Sequence, residues 1–251
     1  MKSFTLKNRR LSVISKLLII VLWILLSRTI DNEVIFPTIS STFHSFTDIV
    51  RRPSFIIIIS HSLIRTLIGF VISLVLAVII GILSSISNII YHLMIPIINF
   101  LTSVPTMAII ILALIWLNNE FAPMFVGFIM VFPILYETVL KSILDLDSNI
   151  IDMAKVYKVQ KMTLIKDVYI PNIFLNLSYI FPSALGINFK MVIAGEALSQ
   201  PKYAIGTNLQ LQKMYLNTSG VFAWIIIILL MSKIFKYVLE GVNHLCIKSK
   251  I

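Results

Sequence analysis

The stretch that organises this sequence is residues 152–171, which read DMAKVYKVQKMTLIKDVYIP. It is a basic segment without internal Gly or Pro until its last residue, and it lies between apolar segments at about residues 121–140 and 173–198. Each apolar segment is close to the ~20 residues that a helix needs to cross a membrane. Because lysines and aspartates are costly in lipid, we expect residues 152–171 to lie in water.

Composition supports a membrane protein. Hydrophobic residues make up 58% of the 251-residue chain and charged residues only 13%, whereas soluble domains average about 25% charged residues. The net charge of +10 does not indicate nucleic-acid binding, because the basic residues cluster at the ends of apolar runs. The single cysteine, Cys246, excludes an intrachain disulfide, and the four scattered histidines predict no metal site.

We predict an all-α protein with six membrane spans. Their approximate positions are residues 12–27, 66–83, 95–117, 121–140, 173–198 and 221–239. Residues 43–59 are predicted to form an interfacial or re-entrant helix that leads into the second span. A seventh crossing there is the alternative, but it would place the two termini on opposite faces.

Charge predicts the orientation of the six spans. Fourteen lysines and arginines lie before or at the start of the first span, between the fourth and fifth spans, and at or after the end of the sixth; six lie on the other face. Cytoplasmic segments carry the excess of basic residues, so both termini and residues 152–171 are predicted to be cytoplasmic.

Residues 149–167 are mostly good helix formers. We expect Asp152 to lie near a helix start, where the helix dipole favours a carboxylate. A turn is expected around residues 159–161, followed by a second helix. Pro171 has no backbone N–H and is expected to break the chain before the fifth span. A plain solvated connector is the alternative interpretation of this segment.

The spacing in this segment resembles the signature loop of ABC importer permeases. That loop has a Glu-Ala-Ala triplet, three residues, Gly, nine residues, and Ile-x-Leu-Pro. Here Asp152-Met153-Ala154 stands for the triplet, Lys158 occupies the glycine position, and Val168-Tyr169-Ile170-Pro171 ends the pattern.

Other stretches are similar, in the same order, to permeases of the nitrate/sulfonate/taurine type. They are Phe36-Pro37-Thr38-Ile39-Ser40, residues 61–70 (HSLIRTLIGF), Pro96 with Ser103-Val104-Pro105, Ala194-Gly195-Glu196, and Phe222-Ala223-Trp224.

The resemblance implies a type I importer permease bundle with a cytoplasmic coupling helix. It divides the chain into residues 1–27 (cytoplasmic N-terminus and first span), 28–65 (external loop), 66–241 (five-span core, with the coupling loop at 141–172) and 242–251 (cytoplasmic tail). The implied coupling residues are Asp152, Met153, Ala154, Lys155, Tyr157, Lys158, Ile170 and Pro171. Among them we expect Ala154, Tyr157 and Lys158 to form the contact face.

The resemblance also implies partners and a location in the plasma membrane of a prokaryote. A second, identical permease copy would complete the pore, two copies of an ATPase subunit would bind ATP and Mg²⁺, and an extracytoplasmic solute-binding protein would deliver the cargo. This chain has no Gly-x-x-x-x-Gly-Lys-Ser/Thr motif, so no cofactor is expected on it, nor any enzymatic activity of its own. The implied cargo is a small polar solute, either an anion such as a sulfonate or nitrate or a vitamin precursor.

Lys190 and Glu196 are the candidates for the translocation path. A lysine near the middle of a span costs about 2.5–3.5 kcal/mol on insertion scales unless it contacts water or a partner. Lys190 could therefore line the path, or it could extend outward beside Glu196. We expect Glu196 to reach water at the end of its span. An ion- or proton-coupled secondary transporter is the alternative function, although no pair of carboxylates at relay spacing supports it.

Overall fold

The computed structural model describes residues 9–248, which contain helices and connections but no strand in that range. The helices are α1 (Arg9–Ile30), α2 (Ile39–Arg51), α3 (Phe55–Ile86), α4 (Asn88–Ser103), α5 (Thr106–Trp116), α6 (Ala122–Leu144), α7 (Ser148–Val156), α8 (Lys161–Leu164), α9 (Ile170–Ser199), α10 (Ile205–Met214) and α11 (Thr218–Lys248), with a π-turn (Ile165–Tyr169) between α8 and α9. Five helical stretches are long and apolar enough to span a membrane, and the bent pair α4–α5 could be a sixth span. The all-α prediction is confirmed.

The chain divides into two compact units. The first comprises the chain as far as Phe55 together with Asn208–Leu229. Its aromatic centre is formed by Trp23, Phe36 and Phe222, whose ring centroids are 5.3–6.1 Å apart. The indole N–H of Trp23 donates to the carbonyl oxygen of Pro37 over 2.9 Å, which fixes the connection between α1 and α2.

The second unit comprises Ile56–Thr207 together with the chain from Leu230. Its centre is the pair α6 and α9, which pack closely because small residues face bulky or polar ones. A Cβ at Gly127 would lie 2.2 Å from Asn188 Oδ1, and one at Gly195 would lie 3.0 Å from Pro123 Cα. Glycine at such positions lets two membrane helices approach each other. The close contact with α6 therefore holds α9 in place within the second unit.

The helix predicted over residues 43–59 is wrong as a single element. Helix α2 ends at Arg51, and Arg52 adopts an extended conformation with ψ 133° before Pro53. A residue that precedes proline is disfavoured in the α conformation, so the helix stops there. Phe55 then begins α3, and residues 55–59 belong to the helix of the second span.

The third predicted span, residues 95–117, is not one straight helix. It consists of α4 and α5, which are bent by 103° relative to each other. The break has the same physical cause, because Val104 precedes Pro105 and has ψ 130°. Pro96, Pro133 and Pro182 instead lie inside helices that continue past them. The other five predicted spans lie inside observed long helices to within one residue.

Candidate functional site

The α7 loop, defined here as the connection between α6 and α9, begins with a capped helix. Asp147 immediately precedes α7, and Asn149 lies in the first turn of this helix. The side chain of Asp147 accepts a hydrogen bond of 2.9 Å from the backbone N–H of Asn149. A side-chain oxygen at this position satisfies an N–H group that has no partner in the helix. The carboxylate at the helix start is therefore that of Asp147. Asp152, for which we predicted this place, is the fifth residue of α7.

Helix α7 ends in a turn around Lys158. Lys158 has φ 51°, in the left-handed region, and the backbone N–H of Val159 donates to the carbonyl oxygen of Ala154 over 2.9 Å. The bond joins the first and last of six residues, and the left-handed Lys158 directly precedes its donor, Val159. This arrangement is the Schellman motif, which ends many helices. The turn thus lies at residues 157–160, slightly earlier than predicted. It explains why a glycine is favoured here, since glycine adopts positive φ without steric strain.

The structure places the predicted coupling residues of α7 on different sides of the helix. Met153 and Tyr157 are 56% and 77% exposed, and Asp152 and Lys158 are also exposed. Ala154 is only 9% exposed and therefore contributes little to the exposed surface of α7, so its place on the contact face stays a prediction. The side chain of Lys155 lies outside the described part. The exposed apolar side chains of α7 are those of Ile150, Met153 and Val156, with Tyr157 next to its end.

The second arm of the loop runs into the membrane without a break. A continuous helical stretch extends over Met162–Ser199, and Pro171 lies in the first turn of α9. The predicted break at Pro171 is therefore wrong. The π-turn explains this: the N–H of Ile170 bonds to the carbonyl oxygen of Ile165, five residues earlier, so the wider turn accommodates the proline that follows. Ile170 is 54% exposed at this junction.

Lys190 and Glu196 are not paired. Lys190 is exposed and makes no ion pair within the described part of the chain. Glu196 is completely buried, so the expectation that it reaches water is wrong. Its Oε1 instead accepts a bond of 3.0 Å from Nη1 of Arg65, whose side chain is 5% exposed.

The Arg65 cluster, defined as Ser62, Arg65, Glu120 and Glu196, satisfies the buried carboxylate fully. Oε2 of Glu196 accepts from the hydroxyl of Ser62 over 2.9 Å and from the backbone N–H of Gly206 over 3.1 Å. Nη2 of Arg65 donates to Glu120, which is 51% exposed. A buried charge is tolerable when it is paired and its remaining oxygens are bonded, and both conditions hold here.

The cluster also fixes the connection from α9 to α10. Nη1 of Arg65 donates to the carbonyl oxygen of Tyr203 over 2.9 Å, and the backbone N–H of Ile205 donates to the hydroxyl of Ser62 over 3.0 Å. The first N–H groups of α10 thus bond to a carboxylate and a hydroxyl from α9 and α3. Such groups at a helix start otherwise have no partner.

The two residues of this pair lie in separate family-like stretches of the sequence, Arg65 in residues 61–70 and Glu196 in Ala194-Gly195-Glu196. The signal that could have joined them is the position of one arginine and one glutamate in two apolar runs. Isolated charges of opposite sign in spans usually pair with each other. Arg65 was instead assigned to the loop before the second span. The structure brings the two stretches together.

A protein-family model provides the decisive comparison. Residues 69–244 match the family described as binding-protein-dependent transport system inner membrane component. The chain belongs to this family. It is therefore a multi-pass inner-membrane permease of the ABC importer class, and the resemblance found in the sequence is confirmed at that level. A comparison with curated protein sequences returns no match. The nitrate/sulfonate/taurine subtype of this permease stays a prediction.

Proposed function

We propose that this permease forms half of a membrane pore and that α7 couples it to a separate ATPase subunit. Family membership supports ATPase and binding-protein partners in general. The observation that carries the assignment to α7 is its exposed apolar surface, formed by Ile150, Met153, Val156 and Tyr157, of which Val156 is 78% exposed. These side chains lie beside acidic and basic residues on a segment that is too polar for lipid.

An amphipathic helix of this kind suits a groove on a soluble partner. Helix-in-groove recognition uses apolar anchors spaced three and four residues apart, as Ile150, Met153 and Tyr157 are. Burying a large apolar side chain contributes roughly 1.5–3 kcal/mol. Because much of the apolar surface of these anchors is exposed, a partner would provide the burial that they lack.

The continuous helix from Met162 to Ser199 supports mechanical coupling. A displacement of the second arm of the loop, from Met162 onward, would reach α9 through the π-turn without passing a non-helical connection. Helix α9 packs along α6 in the same unit, so both would respond together. We propose that closure of two ATPase subunits moves two such loops and thereby changes which side of the membrane the pore opens to.

The charge distribution supports a cytoplasmic α7 loop. If α4–α5 is one crossing, fourteen basic residues lie on the face that carries this loop and six lie on the other. If the pair is re-entrant, the numbers become thirteen and seven, and the loop still lies on the more basic face. The choice changes only the side on which the N-terminus and the connections before α4 lie. We favour six crossings, with both termini cytoplasmic, because the asymmetry is larger.

The proposed assembly contains two copies of this permease, two ATPase subunits that bind ATP and Mg²⁺, and an extracytoplasmic solute-binding protein in a prokaryotic plasma membrane. The cargo is a small polar solute. The exposed position of Lys190 supports its place on the translocation path, since a lysine on the surface of a span needs water or a partner.

Affinity purification of the tagged permease from native membranes tests the proposal. We expect an ATPase subunit to co-purify, and Tyr157→Asp to reduce its yield at least about tenfold, which corresponds to roughly 1.4 kcal/mol. Tyr215→Asp is the matched control, because Tyr215 is 75% exposed but lies between α10 and α11. Equal losses in both variants would overturn the assignment of α7.

Absence of any ATPase would overturn the coupling itself. Uptake that continues without an ATPase and stops when a protonophore is added would instead indicate the secondary-transporter alternative.

A further inference from the structure

A polar cavity of about 720 Å³ lies between α4, α6 and α9, towards the end of the second unit that carries α7. Its volume is in the range of small-molecule sites, about 300–1,000 Å³. The polar side chains that line it include Thr102, Glu137, Thr138, Lys141, Asp145 and Asn176. Several of these side chains bond within the chain, as Thr102 does to the carbonyl oxygen of Ile98 and Lys141 to Glu137. A charged carboxylate such as that of Asp145 still requires water or a ligand, because lipid offers it no partner.

A polar stripe on α9 leads away from this cavity. It consists of Asn176, Tyr179, Ser183, Gly186 and Lys190, spaced three and four residues apart and therefore on one face of the helix. Tyr179, Ser183 and Lys190 are exposed, and a Cβ at Gly186 would meet no atom within 4 Å. A polar face along a membrane span is costly in lipid, so it is best placed against an aqueous path.

The cavity carries an excess of negative charge. Nζ of Lys141 lies 3.2 Å from Oε2 of Glu137, so this pair is neutral overall. Asp145 makes no ion pair with any other described residue. The lining therefore has one net negative charge per chain. Lys190 lies eleven residues beyond Tyr179 on α9, about 16 Å along the helix, and does not neutralise it.

We infer that this cavity is the α7-end vestibule of the translocation path and that it admits neutral or cationic polar solutes better than anions. The inference rests on the proposed function, since it assumes that the chain lines a path. It favours the vitamin-precursor type of cargo over a sulfonate or nitrate. Excess negative charge in a low-dielectric cleft lowers the local concentration of anions and raises that of cations.

Charged thiol reagents test the inference on the full-length chain in membranes. Replacing the single cysteine, Cys246→Ser, gives a background for Asn176→Cys in the cavity and Leu175→Cys, exposed on another face of α9. The probes are a cationic trimethylammonium and an anionic sulfonate methanethiosulfonate. We expect both to react with Asn176→Cys faster than with Leu175→Cys. We expect the ratio of cationic to anionic rates to exceed that for a free thiol about tenfold.

Asp145→Asn, which removes the one net negative charge and leaves the Glu137–Lys141 pair in place, should return the ratio at Asn176→Cys to that of the free thiol. Reaction at Asn176→Cys as slow as at Leu175→Cys would overturn the vestibule. Fast reaction with an unchanged ratio would overturn the charge selection. Neither measurement needs an ATPase, so these failures are distinguishable from failure of the coupling proposal, which co-purification detects.

Discussion

The Arg65 cluster and the α7 loop lie near opposite ends of α9, about 39 Å apart along the helix. The two regions differ in which side chains they bury: the cluster buries charged side chains, and the loop exposes apolar ones. The cluster buries an arginine and a glutamate inside the protein and bonds every oxygen of the glutamate. The loop exposes Met153, Val156 and Tyr157 on the outside of the protein.

This difference separates a self-contained site from one that a partner completes. A buried ion pair tolerates little change of geometry, because removal of one partner leaves an unpaired charge in a medium of low dielectric constant. Exposed apolar side chains stabilise nothing until another surface covers them. We therefore expect mutations in the cluster to act on stability and mutations on the α7 surface to act on association.

The largest effect is expected for Arg65→Met, which leaves the buried carboxylate of Glu196 unpaired. Breaking a buried pair in this way costs about 3–5 kcal/mol. In a protein of this size the midpoint of thermal unfolding in detergent should fall by roughly 10 °C. The measurement is fluorescence-detected size-exclusion chromatography of heated samples.

Two further variants make this test specific. Adding Glu196→Gln to Arg65→Met removes both charges and should restore at least half of the lost stability. Glu120→Gln should cost less than about 1 kcal/mol, because Glu120 is half-exposed. If Arg65→Met is no worse than Glu120→Gln, the buried pair is not what holds this end of the protein together.

A smaller but clear loss is expected for Gly206→Ala. The new Cβ would lie 2.3 Å from the carbonyl oxygen of Ile193 and 2.5 Å from the backbone nitrogen of Ala197. Because these are backbone atoms, α10 must move away from α9, at a cost of about 1–3 kcal/mol. The same thermal assay measures it.

Gly186→Ala is the matched control within α9. Its Cβ would meet nothing within 4 Å, and alanine is favoured over glycine inside a helix by roughly 0.5–1 kcal/mol. We expect this variant to be as stable as the parent or more so. Equal destabilisation by the two alanines would contradict the close packing of α10 on α9.

The smallest effect is a gain, expected for Lys158→Gly in the α7 loop. A residue with a side chain pays roughly 1–2 kcal/mol for the left-handed conformation that Lys158 adopts, and glycine does not. Hydrogen exchange of the Val159 amide, which donates to Ala154, should slow by about fivefold. Lys158→Ala should give no gain, and slower exchange in that variant would show that removal of the lysine charge is responsible.

Several features were predictable from local sequence. The long apolar runs predict the membrane helices, since about 20 such residues cross a bilayer whatever surrounds them. The spacing from Asp152 to Pro171 placed Lys158 at the glycine position, and its positive φ agrees with that assignment. Two breaks could also have been found, because Arg52 and Val104 each precede a proline, but an interfacial helix and a continuous span were predicted there.

Other features depended on contacts between distant residues. Pro171 ends no helix, because a π-turn precedes it, and nothing in the local sequence distinguishes it from a proline that does. Ala154 is buried although its neighbours on α7 are exposed, a result of how the loop lies on the rest of the unit.

The sequence alone determined whether each segment lies in lipid or in water, because the free energy of transferring a side chain between the two depends mainly on its own chemistry. It thereby determined the helical class, five of the six predicted spans and the exposed position of the α7 loop. Only the tertiary structure decided which charges meet. Arg65 and Glu196 are 131 positions apart, and the pairing of Glu196 with Arg65 instead of Lys190 depends on how α3 and α9 pack. The packing of α6 against α9 likewise decided that polar residues of these two helices line one cavity.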